Sequence, residues 1–221
     1  MLLSTRRGRV LIDCGEDWLG RVGDLRPTAV LVTHGHPDHA GGLKLGAPCP
    51  VYATAATWRI MDRWPIGVRC ELRLERPVMI AGLVIEARPV QHSLNAPAVG
   101  FKISTRNGCL FYVPDVASLE NLERTLRGVD LYVGDGAMLV RSLVRRRGRV
   151  LIGHASIATQ LDWCRAGGVP RAVFTHCGSA IVRSAPGRVK EVVESLGRVR
   201  GVDAALAYDG LDIRLRSPHL R

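Results

Sequence analysis

The segment Thr33-His34-Gly35-His36-Pro37-Asp38-His39-Ala40-Gly41-Gly42 places four metal-ligand side chains within six residues. His34 and His36 are two apart, so in an extended segment they face the same way. Pro37 suits the first turn of a helix, from which Asp38 and His39 project. Imidazole and carboxylate together suit Zn²⁺, Mn²⁺ or Fe²⁺, and four donors this close can serve two adjacent cations. Packed without a metal, four such polar groups would be costly to bury. Gly35, Gly41 and Gly42 leave room for backbone and ions to approach closely.

The elements around this segment explain why it is not isolated. Apolar runs repeatedly finish on a His or an Asp: His34, His92, Asp115, Asp135, His154 and His176. Six of the seven histidines stand at or just after such an end, and only His219, in the tail, does not. Strand ends present loops to a common face, where ligands and catalytic groups gather. The pattern predicts strands over 29–33, 51–53, 83–90, 131–133, 150–152 and 172–175. Hairpins are expected over 2–4 with 10–13, over 99–106 with 109–113 around Asn107-Gly108, and over 204–208 with 211–215. Helices are expected over 55–64, 118–126, 157–166 and 189–196. The fold class is α/β, in one domain spanning 1–221.

Composition narrows the class further. The chain has 221 residues and a charge of +11, carried by 28 Arg and 3 Lys, and 47% of it is hydrophobic. That apolar fraction excludes a disordered chain. No apolar run approaches ~18 residues, and the N-terminus lacks the apolar core of a signal peptide. A cytoplasmic protein with no membrane contact is expected. Cys14, Cys49, Cys70, Cys109, Cys164 and Cys177 form no C-x-x-C pair and read as small buried hydrophobes. Cys177 stands out because it follows His176. The arginine clusters at 6–9 and 145–149 read as solvated turns. The charge suits an anionic partner, so nucleic acid is allowed but not required, and a homodimer is compatible with everything above.

His34-x-His36-x-Asp38-His39, followed in order by His92, Asp115 and His176, resembles the signature of the metallo-β-lactamase superfamily. The Val10-Leu11-Ile12-Asp13-Cys14-Gly15 segment ahead of it matches as well. The resemblance spans nearly the whole chain. It implies a metallo-β-lactamase-like αββα four-layer sandwich and two divalent metal ions, zinc first, with manganese or iron as options. Carried over, His34, His36 and His92 would form one metal site. Asp38, His39 and His176 would form the other, with Asp115 bridging. A water held between the ions, its pKa lowered toward ~7, would supply the hydroxide that attacks phosphorus or a carbonyl. Asp13 and Asp135 are candidates for orienting the imidazoles.

His154 is not needed to complete either metal site. The superfamily's phosphodiesterase branch, which includes tRNase Z and the carbon–phosphorus-lyase accessory phosphodiesterase, has an additional histidine at similar spacing before its last ligand. Pro89-Val90-Gln91-His92-Ser93, Gly100-Phe101 and Asp209-Gly210-Leu211-Asp212-Ile213 also resemble the accessory enzyme. Asp38 and His154 are therefore the catalytic candidates, and His154 and Ser156 the substrate-binding ones. The chain departs from that branch in three ways: no glycine-rich first strand, no Gly/Pro-rich insertion between His39 and His92, and no cysteine cluster for a structural zinc. The expected substrate is a small anion, a cyclic or linear phosphodiester. Alternatives are a thioesterase or lactonase of the same fold, a nucleic-acid-binding protein with structural metals, and a one-metal iron oxygenase.

Overall fold

The computed structural model describes residues 1–215, so His219 lies outside the described residues. Its contacts separate into two compact units, Met1–Pro89 with Leu94–Val99, and Val90–Ser93 with Gly100 onward.

The first unit opens with the expected hairpin, Leu2–Thr5 against Gly8–Ile12. Thr5 Oγ1 closes its turn, accepting from Arg7 N at 3.0 Å and donating to Gly8 O at 3.1 Å. Gly8–Ile12 then pairs in parallel with Ala29–Leu31, which pairs with Val51–Thr54, which pairs with Arg69–Leu72. Ala29–Leu31 is buried throughout, as expected of a parallel strand covered on both faces. Leu11, Val30, Val32, Leu43, Val51, Ala53 and Met61 fill the core beside this sheet. The helix expected over 55–64 stops at Ile60. Its last turn opens at Met61 (φ −93°, ψ 19°), and Pro65 disfavours a helical Trp64 in any case. Val78–Ile80 folds back on Leu83–Gln91.

In the second unit, residues 101–105 of strand Ala98–Thr105 pair with Gly108–Tyr112 as the other expected hairpin. Its register pairs Thr105 with Gly108, so Arg106 and Asn107 make the turn and Gly108 opens the second strand. Gly108–Tyr112 pairs in parallel with Leu131–Asp135, which pairs with Arg171–Thr175, which pairs with Asp203–Leu206. Phe111, Tyr132 and Phe174 stack through this sheet with ring centroids 6.0 and 6.3 Å apart, an aromatic spine for the core. Helix Ile157–Ala166 forms over the expected residues, and Pro186–Arg198 extends the helix expected over 189–196.

Three expectations are corrected in this unit. Residues 118–126 do not form one helix. Ser118–Leu119 pairs with Gln91 and Val90 as a short strand, and the helix starts at Leu122, capped by Asn121. The closing hairpin does not form, because Asp203–Leu206 finds its partner in parallel with Arg171–Thr175 and residues 211–215 are not in a strand. Arg145–Arg147 are not a turn. They belong to strand Leu143–Arg147, paired with Val150–His154. Among the described residues no helix is long and apolar enough to cross a membrane.

Candidate metal centre

In the first unit everything turns on Asp13, which follows strand Gly8–Ile12 with a left-handed backbone (φ 57°). Its Oδ1 accepts from Thr33 N at 2.8 Å, and its Oδ2 accepts from Thr33 Oγ1 at 2.8 Å and His39 Nδ1 at 3.0 Å. The Thr33 hydroxyl has one proton and gives it to Asp13. It can therefore only accept from His34 Nδ1, 3.0 Å away. Both His34 and His39 thus carry the proton on Nδ1, and both turn a lone pair outward on Nε2. His34 Nε2 lies 2.9 Å from His36 Nδ1. Two nitrogen ligands of one tetrahedral zinc, bonded at about 2.05 Å, are separated by about 3.3 Å. His39 Nε2 lies 3.6 Å from Asp38 Oδ2. His34 and His39 are buried, whereas the Asp38 side chain is 59% exposed.

The glycines of this segment have two different tasks. Cys14 N donates to His39 O at 2.8 Å and Gly42 N to Cys14 O at 2.9 Å. Backbone thus runs against backbone, and a Cβ on Gly42 would stand 2.9 Å from Gly15 O. At Gly35 the obstacle is the Ile60 side chain, 2.8 Å from a would-be Cβ. Gly35 is therefore a packing residue.

In the second unit, His92 Nδ1 donates to Gly153 O at 3.2 Å. Its Nε2 stands 3.1 Å from Asp115 Oδ2. An imidazole nitrogen and a carboxylate oxygen side by side in a buried place are a donor pair that a divalent cation takes. The donor set therefore fits a divalent metal. The other Asp115 oxygen lies 2.9 Å from His176 Nδ1, and His176 is held with a left-handed backbone (φ 53°). Such non-glycine residues concentrate at functional sites.

Asp135 is fully buried. Its Oδ1 accepts from Ala137 N at 2.8 Å, and its Oδ2 accepts from Val116 N at 3.1 Å and His154 Nδ1 at 2.8 Å. The Asp135 hydrogen bond raises the His154 pKa above the ordinary histidine value, with burial acting the other way. The His154 ring lies 5.1 Å from His92 and stacks on His176 at 6.1 Å. Ligand atoms of Asp115, Asp135, His154 and His176 all lie within 4.8 Å of one another. The Asp135 oxygens are occupied by two amides and an imidazole, so this carboxylate orients His154.

Gln160, on helix Ile157–Ala166, locks these strand ends. Its Oε1 accepts from Tyr132 Oη (3.0 Å) and Asp135 N (2.9 Å), and its Nε2 donates to Asp135 O (2.7 Å) and Ala155 O (3.0 Å). Sequence reasoning did not find Gln160. Its only signal is a polar residue among Ile157, Ala158, Leu161 and Cys164, the buried side of the helix.

Ser156, expected to bind substrate, is the buried N-cap of that helix, its Oγ accepting from Thr159 N at 3.2 Å and meeting Ser142 Oγ at 3.3 Å. Burial also pushes the Cys177 thiol up. The remaining residues stand together within their own units: His34, His36, Asp38 and His39 in the first, and His92, Asp115, His154 and His176 in the second.

The model of the β-lactamase superfamily domain matches residues 8–177. The chain belongs to this superfamily. A relative in Pyrobaculum neutrophilum, named a UPF0173 metal-dependent hydrolase, is 28% identical over 188 residues, covering 81% of this chain and 78% of that protein. An isothiocyanate hydrolase from Delia radicum gut bacteria superposes with a TM-score of 0.69 at 17% identity, covering 95% of this chain and 94% of that one. The short form of human tRNase Z gives 0.65 at 16%, covering 98% and 92%. The α/β class and the metallo-β-lactamase fold expected from sequence are thus shown. The superfamily fold carries hydrolysis of more than one kind of substrate, so the fold alone does not name this chain's substrate.

Proposed function

We propose that the protein is a metal-dependent hydrolase, and specifically a phosphodiesterase acting on a small cyclic or linear phosphodiester. The proposed ligands are His34, His36, Asp38 and His39 from the first unit and His92, Asp115 and His176 from the second, holding two divalent ions, zinc first. When bound, such ions activate water and take up charge on oxygen.

The observation that carries the phosphodiester reading is His154. It is outside the ligand set, yet it is built as a working side chain, at the end of its strand with Nδ1 fixed on Asp135 at 2.8 Å. Its Nε2 is the nitrogen left to meet a substrate. When the ring is protonated, Nε2–H is a donor for a phosphoryl oxygen or for the leaving oxygen. Asp135 fixes the tautomer and the ring plane. Asp38, the most exposed of the ligands, is the side chain a substrate would meet on the first unit. The tRNase Z likeness supports this reading; the isothiocyanate hydrolase likeness favours an alternative in which the electrophile is carbon, as in a thioester or lactone.

A panel of bis(p-nitrophenyl) phosphate, a thioester and a lactone, assayed with Zn²⁺- or Mn²⁺-loaded protein, separates these readings. The expected result is turnover of the phosphodiester, lowered about 10²- to 10⁴-fold by His154→Ala with metal content unchanged. Turnover of the thioester alone, untouched by His154→Ala, would sink the phosphodiester reading. Salt-dependent binding of nucleic acid with no turnover of anything would favour the structural-metal alternative.

A further inference from the structure

The arginine cluster expected to be a solvated turn is a strand of a separate two-stranded sheet, and that changes what it can do. Leu143–Arg147 pairs with Val150–His154 in the register Leu143↔His154, Arg145↔Ile152 and Arg147↔Val150. Directly paired residues of antiparallel strands share a face, and so do residues two apart along a strand. Arg145 and Arg147 therefore lie on the face of the hairpin that carries His154, about 7 and 13 Å along it at ~3.3 Å per residue. The inner strand is tied down. Leu151 N donates to Gln91 Oε1 at 2.8 Å, Gly153 N to His92 O at 2.9 Å, and His154 Nδ1 to Asp135. The arginine strand is the outer one, with Arg145, Arg146, Arg147 and Arg149 exposed.

Residues 136–161 contain five arginines and no Asp or Glu. A basic edge strand can serve only to discourage edge-to-edge pairing, but that task does not require the charges to line up with a site histidine.

We propose that this hairpin is a docking arm for the phosphate backbone of single-stranded nucleic acid, laid along Arg145 and Arg147 so that one phosphate reaches His154. The proposal rests on the phosphodiesterase reading and extends it from a small ester to a phosphodiester within a chain. Residues 138–156 contain no Phe, Tyr or Trp, so the arm offers no platform for stacking bases. It would read charge and spacing, not sequence.

The test is fluorescence anisotropy of a labelled single-stranded 12-mer titrated against KCl. Each phosphate contact on a single strand contributes about 0.7 to the slope of log affinity against log salt. Arg145→Gln/Arg147→Gln/Arg149→Gln is expected to lower that slope by about 1.4, the share of Arg145 and Arg147. Two controls guard the interpretation. The corresponding triple Lys variant keeps the charge and should keep the slope, and Arg6→Gln/Arg7→Gln/Arg106→Gln removes the same charge from two other turns and should leave the slope unchanged. An equal fall in that last control, no binding at 50 mM KCl, or a polyglutamate peptide competing as well as the 12-mer would overturn the docking arm. The readout needs no turnover. Binding as expected without phosphodiester hydrolysis would remove the proposed chemistry and leave the arm, and hydrolysis of the small reporter without 12-mer binding would do the reverse.

Discussion

Asp13 and Asp135 do the same job in different units. Each stands at the end of a parallel strand, accepts from main-chain N–H (one for Asp13, two for Asp135), and holds one imidazole by Nδ1, His39 at 3.0 Å and His154 at 2.8 Å. They differ in what the held ring faces. His39 turns its Nε2 toward Asp38, another proposed ligand, at 3.6 Å. His154 instead stacks on His176 and keeps a quarter of its side chain exposed. On the proposed reading the first pair presents a donor to a metal, and the second presents a side chain to the substrate. One device, a buried carboxylate fixing an imidazole, thus serves either end according to what lies across from Nε2.

The comparison breaks most visibly if the two histidines are removed in turn. His39→Ala should strip metal from the protein, whereas His154→Ala should leave metal content intact and lower phosphodiester turnover about 10²- to 10⁴-fold; elemental analysis beside kinetics reads both. Loss of metal from His154→Ala would make the two sites equivalent after all. Next in size are the neutral isosteres. Asn tolerates the left-handed backbone of Asp13, so Asp13→Asn tests the carboxylate alone. It should weaken metal binding about 10- to 100-fold in a chelator competition, and Asp135→Asn should lower kcat without changing that competition.

Stability gives a third contrast. Asp135→Ala would strand the buried Val116 amide, the half-buried Ala137 amide and an imidazole, a loss of about 3 kcal/mol, visible as a lower urea midpoint. Asp13→Ala, beside Thr33 and His39, should cost less. Ser156→Ala, loss of a helix cap, should cost about 1 kcal/mol; a change in substrate KM instead would show the expected substrate role. The smallest effect is chemical. Burial pushes the Cys14 and Cys164 thiols up to about 12, so both stay protonated far above neutral pH. In the folded protein neither should react with iodoacetamide at pH 8, as peptide mapping would show.

Much of this arrangement is legible in the sequence, because strand ends advertise themselves. An apolar run broken by His or Asp marks both the end of burial and the start of chemistry, and that is how Asp115, Asp135, His154 and His176 were found. Asp13 and Asp135 were also named, but their partners were not, since a hydrogen bond between residues 26 or 19 apart leaves no periodic trace. The arginine strand was misread for the opposite reason. Leu143–Arg147 has no apolar alternation and is a strand only because Val150–His154 lies beside it. Ser118–Leu119 likewise owes its strand to Gln91 and Val90, overriding the helical spacing of Leu119, Leu122 and Leu126. The turn at 106–107 slipped by one residue because Thr105 Oγ1, accepting from Asn107 N at 2.9 Å and donating to Gly108 O at 3.0 Å, fixes the turn ahead of Gly108.

Gln160 has a consequence for how this half of the molecule comes apart. Its one amide joins the main chain at Asp135 and Ala155 to the phenol of Tyr132, with no valence left over. Strand, loop and helix are therefore expected to open as one cooperative block. In a deuterium-exchange experiment, the Asp135 amide should be among the last to exchange, released only by near-global unfolding. The aspartate that aims His154 would then outlast the surface around it, and partial unfolding would cost the protein its edges before it cost it the site.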